Sequence, residues 1–419
     1  MRLLIRAGTL LTAVAGEEVR RNQGVLVEDG VIQAVDHWDS FAADDSVTVV
    51  DAGPFTVLPG LIDAHTHIAS SGEPEERLEW SVFTELPATT ALKAMRHARR
   101  HLDMGVTTVR VLGTPHWVDI ALRDAIDAGW HPGPRLVCAG QGITSTGGHM
   151  DHRKNLRIDV APEALDSSLV VDSEGEARRA VWTNLMHGAD VIKINATLSE
   201  YVRARGGQCT PELTYEQMSV ICDLAHQAQR KVAAHCHGGV GVDWAIAAGV
   251  DTFEHGRFLT DEQLDEIANR GRYLVPTLSP EARRVEANDV SGPPSYVRWF
   301  RMATEAMYDT VGRAHKHGVL IAAGSDVGMP RVRHGEVAYE MYQLTVAGLS
   351  NLDAITSATR IAAQALDLAE SVGQVHPGFA ADLLIVDGDP LQDLRLLQNE
   401  QVIRMVTHDG NIVVDHLRR

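Results

Sequence analysis

Cysteine is scarce: the chain of 419 residues holds four, Cys138, Cys209, Cys222 and Cys236, none in a CxxC spacing. That usage supports neither a disulfide scaffold nor a zinc finger, and it sets a reducing cytoplasm as the expected compartment. Positive charge is also in deficit, with Lys+Arg at 38 against Asp+Glu at 56, a formal net charge of −18. A surface this acidic repels phosphate backbones and anionic lipid, so neither nucleic acid nor membrane is an expected partner. No apolar run approaches the roughly 18 residues of a spanning helix. The opening Leu-Leu-Ile stretch is broken by Arg6, and the run from Leu10 to Ala15 ends at Glu17-Glu18, too short for a secretory leader. Fixed-period repeats, low-complexity tracts and glycine–serine linkers are missing too. Aromatics are only 5%, yet 44% hydrophobic and 22% charged residues make an ordinary globular composition. What stands out is histidine, 20 residues, and where they fall.

Short β-rich runs open the chain at Leu3–Ile5, Gly24–Glu28, Ile32–Val35 and Val47–Val50. Similar runs close it at Asp382–Val386, Val402–Thr407 and Asn411–Val414, the last two joined by the hairpin turn Asp409-Gly410. Between them lie eight buried-strand candidates: Val57–His65, Thr107–Val111, Arg135–Ala139, Val191–Asn195, Val232–His235, Thr252–His255, Arg272–Thr277 and Leu320–Asp326. Helical patterns separate most of them. Thr214 to Gln217 and Thr260 to Gln263 read as capping boxes, and Gly271 as the stop of the second helix. The alternation predicts an α/β fold: a parallel (β/α)8 TIM barrel over residues 57–374. Residues 1–56 and 375–419 are expected to pair into a small β-sandwich domain built from both termini.

The strand ends carry the histidines. Alternation along the first strand turns His65 and His67 to one face, so both imidazoles can meet one ion. HxH alone is a weak signal, more often met by a pair of satisfied surface histidines than by a metal site. Further strand ends add Lys193, His235 with His237, His255, and Asp326. Each puts a potential ligand at the carboxyl rim, where barrel active sites sit.

These residues lie in motifs that resemble the amidohydrolase superfamily of metal-dependent hydrolases over nearly the whole chain. The motifs are Pro59-Gly-Leu-Ile-Asp-Ala-His-Thr-His67, Gly105-Val-Thr-Thr-Val-Arg110 and the tail Pro377-Gly-Phe-Ala-Ala-Asp-Leu-Leu-Ile-Val-Asp387. Within them, Thr146-Gly-Gly-His149, Ala234-His-Cys-His-Gly238 and Glu254-His-Gly256 are similar to the branch holding Xaa-Pro and Xaa-Arg dipeptidases and related amide or carbamate hydrolases. The resemblance implies two divalent ions, zinc first, although cobalt, manganese or iron accept the same ligands. It assigns His65, His67 and Asp326 to the more buried ion, His235 and His255 to the second, and a carboxylated Lys193 to the bridge. Chemistry agrees: an ammonium has no lone pair, whereas a carbamate offers two oxygens to ions about 3.5–4 Å apart. His237 shares a face with His235 and could replace it; the branch keeps the first histidine, which leaves His237 to the substrate. His149 is either a solvated loop histidine or a group that polarises the substrate carbonyl.

The implied reaction is hydrolysis of an amide-type C–N bond by a hydroxide generated between two metal ions. Asp326 takes its proton and delivers it to the leaving nitrogen. Dipeptides, N-acyl amino acids, carbamates and urea-like small molecules are the expected substrates. In the loop after the fourth strand, Tyr201 could donate to the oxyanion, and Arg203 or Arg205 could clamp a carboxylate; a solvated basic loop fits equally. The acidic segment Ser70–Pro87 reads as a lid or a solvated face, and Ser279–Arg298 as a rim cover or a contact in a homo-oligomer. Two other readings compete. A deaminase of this fold uses one ion and a glutamate soon after the fifth-strand histidine, but no carboxylate follows His235 before Asp243. A metal-free structural homologue would have lost ligands, and here all six remain.

Overall fold

The computed structural model describes residues 2–42, 44, 46–74, 76, 78–157, 168–198 and 209–417. Its N-terminal strands are β1 (Arg2–Leu10), β2 (Arg20–Glu28), β3 (Val31–His37) and β4 (Thr48–Pro59). The middle of the chain supplies β5 (Leu61–Thr66), β6 (Val106–Val111), β7 (Arg135–Cys138), β8 (Gly142–Thr144) and β9 (Ser168–Val170). It continues with β10 (Val191–Asn195), β11 (Lys231–Gly238), β12 (Thr252–Phe258), β13 (Tyr273–Val275) and β14 (Leu320–Ile321). Last come β15 (Leu383–Val386), β16 (Ile403–His408) and β17 (Asn411–Asp415).

The two chain ends meet in one seven-stranded sheet, ordered β17-β16-β15-β4-β1-β2-β3. Strand alternation gives it two apolar faces. Leu3, Ile5, Val57, Leu383 and Ile385 share a core of its own, while Leu58, Leu384 and Val406 point the other way into the main core. The β16–β17 hairpin turns on Asp409 and Gly410, both at positive φ (46° and 72°), the backbone a two-residue turn needs. One boundary differs from expectation. Val57–Pro59 pair with β15 in this terminal sheet and do not open the first central strand. The break falls at Gly60, where a Cβ would collide with the Thr107 side chain.

The central strands are parallel, in the orders β14-β13-β12-β11-β10-β8-β9 and β5-β6-β7. Backbone hydrogen bonds link the two groups on both sides. Asp190 N donates to Cys138 O (2.7 Å) beyond β7. Ala64 N donates to Ala323 O (2.9 Å), and Asp326 N to His65 O (2.9 Å), which lays the chain after β14 along β5. The chain from Leu320 thus runs beside its neighbours up to Asp326, but only its first two residues form a regular ladder, and Asp326 itself turns to positive φ (53°). Helices cover the strands as the capping signals indicate. Thr214 caps helix Tyr215–Gln227 through a reciprocal box with Gln217, and Met218, Ile221, Cys222, Leu224 and Ala225 face inward. Thr260 and Gln263 do the same for Asp261–Asn269, and Gly271 follows its end at φ 60°.

Segment Ser70–Pro87 carries helix Leu78–Thr84, and its Glu76 and Glu85 are both bound by Lys93 Nζ (2.6 and 2.9 Å). Those two carboxylates are thus ion-paired, not merely solvated. Segment Ser279–Arg298 holds helix Ser279–Glu286 and the start of helix Pro294–Lys316. Among the described residues, no helix is long and apolar enough to cross a membrane.

Candidate active site

β5 brings His65 and His67 to one side, with ring centroids 5.3 Å apart. Asp326 reaches them from the neighbouring segment, its Oδ1 3.6 Å from His65 Nε2 and 3.1 Å from His67 Nε2. Ligand atoms of these three residues all lie within 4.8 Å of one another, the one such group among the described residues. Asp63 holds the two segments in register: its carboxylate accepts from Ser325 N (2.9 Å), Ser325 Oγ (2.5 Å) and His65 N (3.3 Å).

The far side of His65 is fixed from β12 and β6. His65 Nδ1 lies 2.7 Å from Glu254 Oε2, and Arg110 donates to Glu254 Oε1 (2.8 Å), to Thr252 Oγ1 (2.9 Å) and to Ala64 O (2.6 Å). A carboxylate at Nδ1 keeps the proton there, so Nε2 offers its lone pair toward Asp326. Burial alone would raise the Glu254 carboxyl, but Arg110 and then His65 outweigh it and hold the group at about 2. Asp326 is balanced the same way: burial raises it, and His65 and His67 bring it down to about 2. Both are anions at neutral pH.

A second histidine group stands beside the first. His235 on β11 and His255 on β12 have ring centroids 4.6 Å apart, and His255 lies 5.1 Å from His65. His237 is brought in as well, 4.7 Å from His235 and 5.4 Å from His255. Burial drives His235 and His255 well below the usual imidazole range, so both are neutral with a lone pair free. His235 Nε2 is buried without a hydrogen-bond partner, and so is Nζ of Lys193 on the adjacent β10. Burial lowers Lys193 to about 8. A buried ammonium with no acceptor is costly, which favours loss or replacement of its charge. Imidazoles, one carboxylate and an orphaned amine in this arrangement fit a divalent-metal centre.

His149, expected either in solvent or at the substrate, is packed onto the group, its ring stacked on His235 at 4.0 Å. Its loop is pinned by Glu212, which accepts from His149 N (2.8 Å), Ser145 N (3.1 Å) and Thr144 Oγ1 (2.5 Å). Glu212 escaped the sequence reading because it sits in no motif. Thr277 escaped it too, although its Oγ1 lies 2.7 Å from His255 Nδ1. Arg257, buried and ion-paired with Glu281, was missed two residues past His255. Glu254 and Arg110 lay within quoted motifs, but only the fold shows that they meet. Tyr201, Arg203 and Arg205 lie outside the described residues.

Comparison with known proteins gives the family. The ochratoxinase of Aspergillus niger is 27% identical over 380 residues, covering 85% of this chain and 75% of that protein. The crystal structure of an Xaa-Pro dipeptidase with methionine bound in its active site superposes with a TM-score of 0.88 at 31% identity, covering 98% of this chain and 99% of the other. A prolidase crystallised with N-methylphosphonate-L-proline gives 0.84 at 25% identity, covering 99% and 100%. Residues 56–413 match the profile of the amidohydrolase family, and the chain belongs to that family of hydrolases.

Proposed function

We propose that the chain is a two-metal hydrolase of amide-type C–N bonds in small molecules, first of all dipeptides or N-acyl amino acids, with carbamates and ureas next. One observation carries the reading: Lys193, buried with an unpartnered Nζ, beside the strand that presents His235. In this proposal His65, His67 and Asp326 would hold one zinc ion, His235 and His255 would hold the other, and Lys193, once carboxylated, would be a ligand shared by the two. The parallel strands between residues 61 and 374 close into an eight-stranded barrel around them, with residues 1–59 and 375–419 forming the small domain.

Such ions, when bound, supply hydroxide near neutral pH and polarise the scissile carbonyl. The chain's own groups do the rest. Asp326, kept anionic by two histidines, accepts the water proton and returns it to the leaving nitrogen. His149, neutral and oriented by its stack on His235, donates to the carbonyl oxygen as it gains charge. His237, Tyr201 and Arg203 or Arg205 are assigned to the substrate. The dipeptidase and prolidase relatives, one with methionine bound in its active site and the other complexed with N-methylphosphonate-L-proline, support an amino-acid product.

The test is a screen of metal-reconstituted enzyme against dipeptides, N-acyl amino acids, carbamates, ureas and aryl amides. Acyl–nitrogen cleavage is expected, with free acids preferred over esters by about 10- to 150-fold if an arginine clamps the carboxylate. Ammonia released from an aromatic amine, with no acyl–nitrogen cleavage, would overturn the reading.

A further inference from the structure

β13 ends at Val275; Pro276 and Thr277 follow it, and Thr277 takes up a left-handed backbone with φ 51°. For a β-branched side chain that conformation is a true outlier, and such strain persists only where its surroundings impose it. The surroundings are visible here. Glu340, from helix Val337–Val346, accepts from Leu278 N (2.8 Å), Ser279 N (2.8 Å) and Ser279 Oγ (2.6 Å), clamping the two residues that follow Thr277. Thr277 itself is 1% exposed. What the turn achieves is to place its Oγ1 2.7 Å from His255 Nδ1. His255 is held at positive φ too (71°), so both partners of this hydrogen bond sit on forced backbone just past the last residues that β12 and β13 pair with each other, Glu254 and Val275.

We propose that Thr277 is the positioning residue of the second metal site. Its oxygen accepts the Nδ1 proton of His255, fixing the tautomer and the ring angle that leave Nε2 free for the ion. The inference rests on the two-metal reading above. It also separates the two sites, since His65 is backed by a carboxylate paired with arginine and His255 by a neutral hydroxyl. Outer partners of ligating histidines typically contribute about 10- to 100-fold in metal affinity.

The experiment measures zinc content and affinity of the full chain by chelator competition, for wild type, Thr277→Val and Thr277→Ser. Valine keeps the β-branch and the volume but lacks the hydroxyl; serine keeps the hydroxyl. Wild type and Thr277→Ser are expected to hold two equivalents. Thr277→Val should release one of them at about 10- to 100-fold lower chelator concentration, with the other unmoved. If circular dichroism shows that Thr277→Val does not fold, Thr277→Ala carries the same expectation. Unchanged affinity in the variant lacking the hydroxyl, or equal loss in Thr277→Ser, overturns the role of Thr277 and leaves the two-metal reading standing. A wild type that binds a single equivalent overturns that reading, and this inference with it.

Discussion

The imidazole of His149 lies flat on that of His235, with planes inclined by 16° and centroids 4.0 Å apart. Two charged rings would repel in this geometry, and burial keeps both neutral, His149 at about 3 and His235 well below its usual range. Glu212 completes the arrangement by holding the loop that carries His149. A loop residue is thereby given a fixed direction toward the metal-ligand group, as an oxyanion donor requires.

His149→Phe keeps a flat ring on His235 but removes the N–H. Turnover is expected to fall by about 10²- to 10³-fold, the usual loss for one oxyanion donor. Zinc content should be unchanged. Loss of one metal equivalent would make His149 a ligand instead.

Lys193→Ala should abolish turnover and lower bound metal, because the variant has no nitrogen to carboxylate. Short carboxylates such as acetate should restore part of the activity by filling the vacated space. An alanine variant with full activity and full metal content would refute the bridge.

Asp326→Asn preserves shape and some ligand capacity but cannot cycle a proton at neutral pH. The loss should fall on kcat far more than on KM, since the transfer belongs to the transition state. A change confined to KM would move Asp326 to substrate binding.

Glu254→Gln leaves Arg110 buried without its counter-charge, which should cost about 3–5 kcal/mol in denaturant unfolding. It also removes the carboxylate behind His65, weakening metal binding by about 10- to 100-fold. Adding Arg110→Met should recover stability and leave metal affinity low. Recovery of both would show that Glu254 serves the fold alone.

Much of this site was legible because metal ligands need particular residue types at strand ends, and strand ends can be read from apolar runs and turn residues. His65, His67 and Asp326 were singled out that way, and the structure brings them together. The groups behind them were not legible. Glu254 meets His65 across 189 positions of sequence, and Glu340 reaches Ser279 across 61, contacts that only the folded arrangement of strands and helices creates. The Val57–Pro59 boundary was missed because β4 is apolar at its end, so the passage from terminal sheet to central strand shows no change in composition; only Gly60 marks it.

A different histidine group sets an expectation for pH. His101 is fully buried on helix Pro87–Asp103, with Nε2 3.1 Å from His334 Nδ1 and its own Nδ1 unpartnered. His334 Nε2 lies 2.7 Å from Ser70 O, and His97, stacked on His334 at 4.1 Å, has its Nδ1 2.8 Å from Ile68 O. Together they brace the chain just past His67. Burial, helped by His97 and Arg100, lowers His101 to about 3, against about 6.5 in an unfolded chain. The unfolded state therefore takes up the proton first as pH falls. The stability contributed by neutral His101 is complete above about pH 6.5 and drains away toward pH 3, at up to about 1.4 kcal/mol per pH unit. His101→Gln keeps an N–H for His334 and cannot titrate. Urea unfolding of metal-free protein between pH 6.5 and 4.5 should show a shallower loss of stability in the variant by up to that slope. Parallel curves would mean that His101 does not couple folding to protonation.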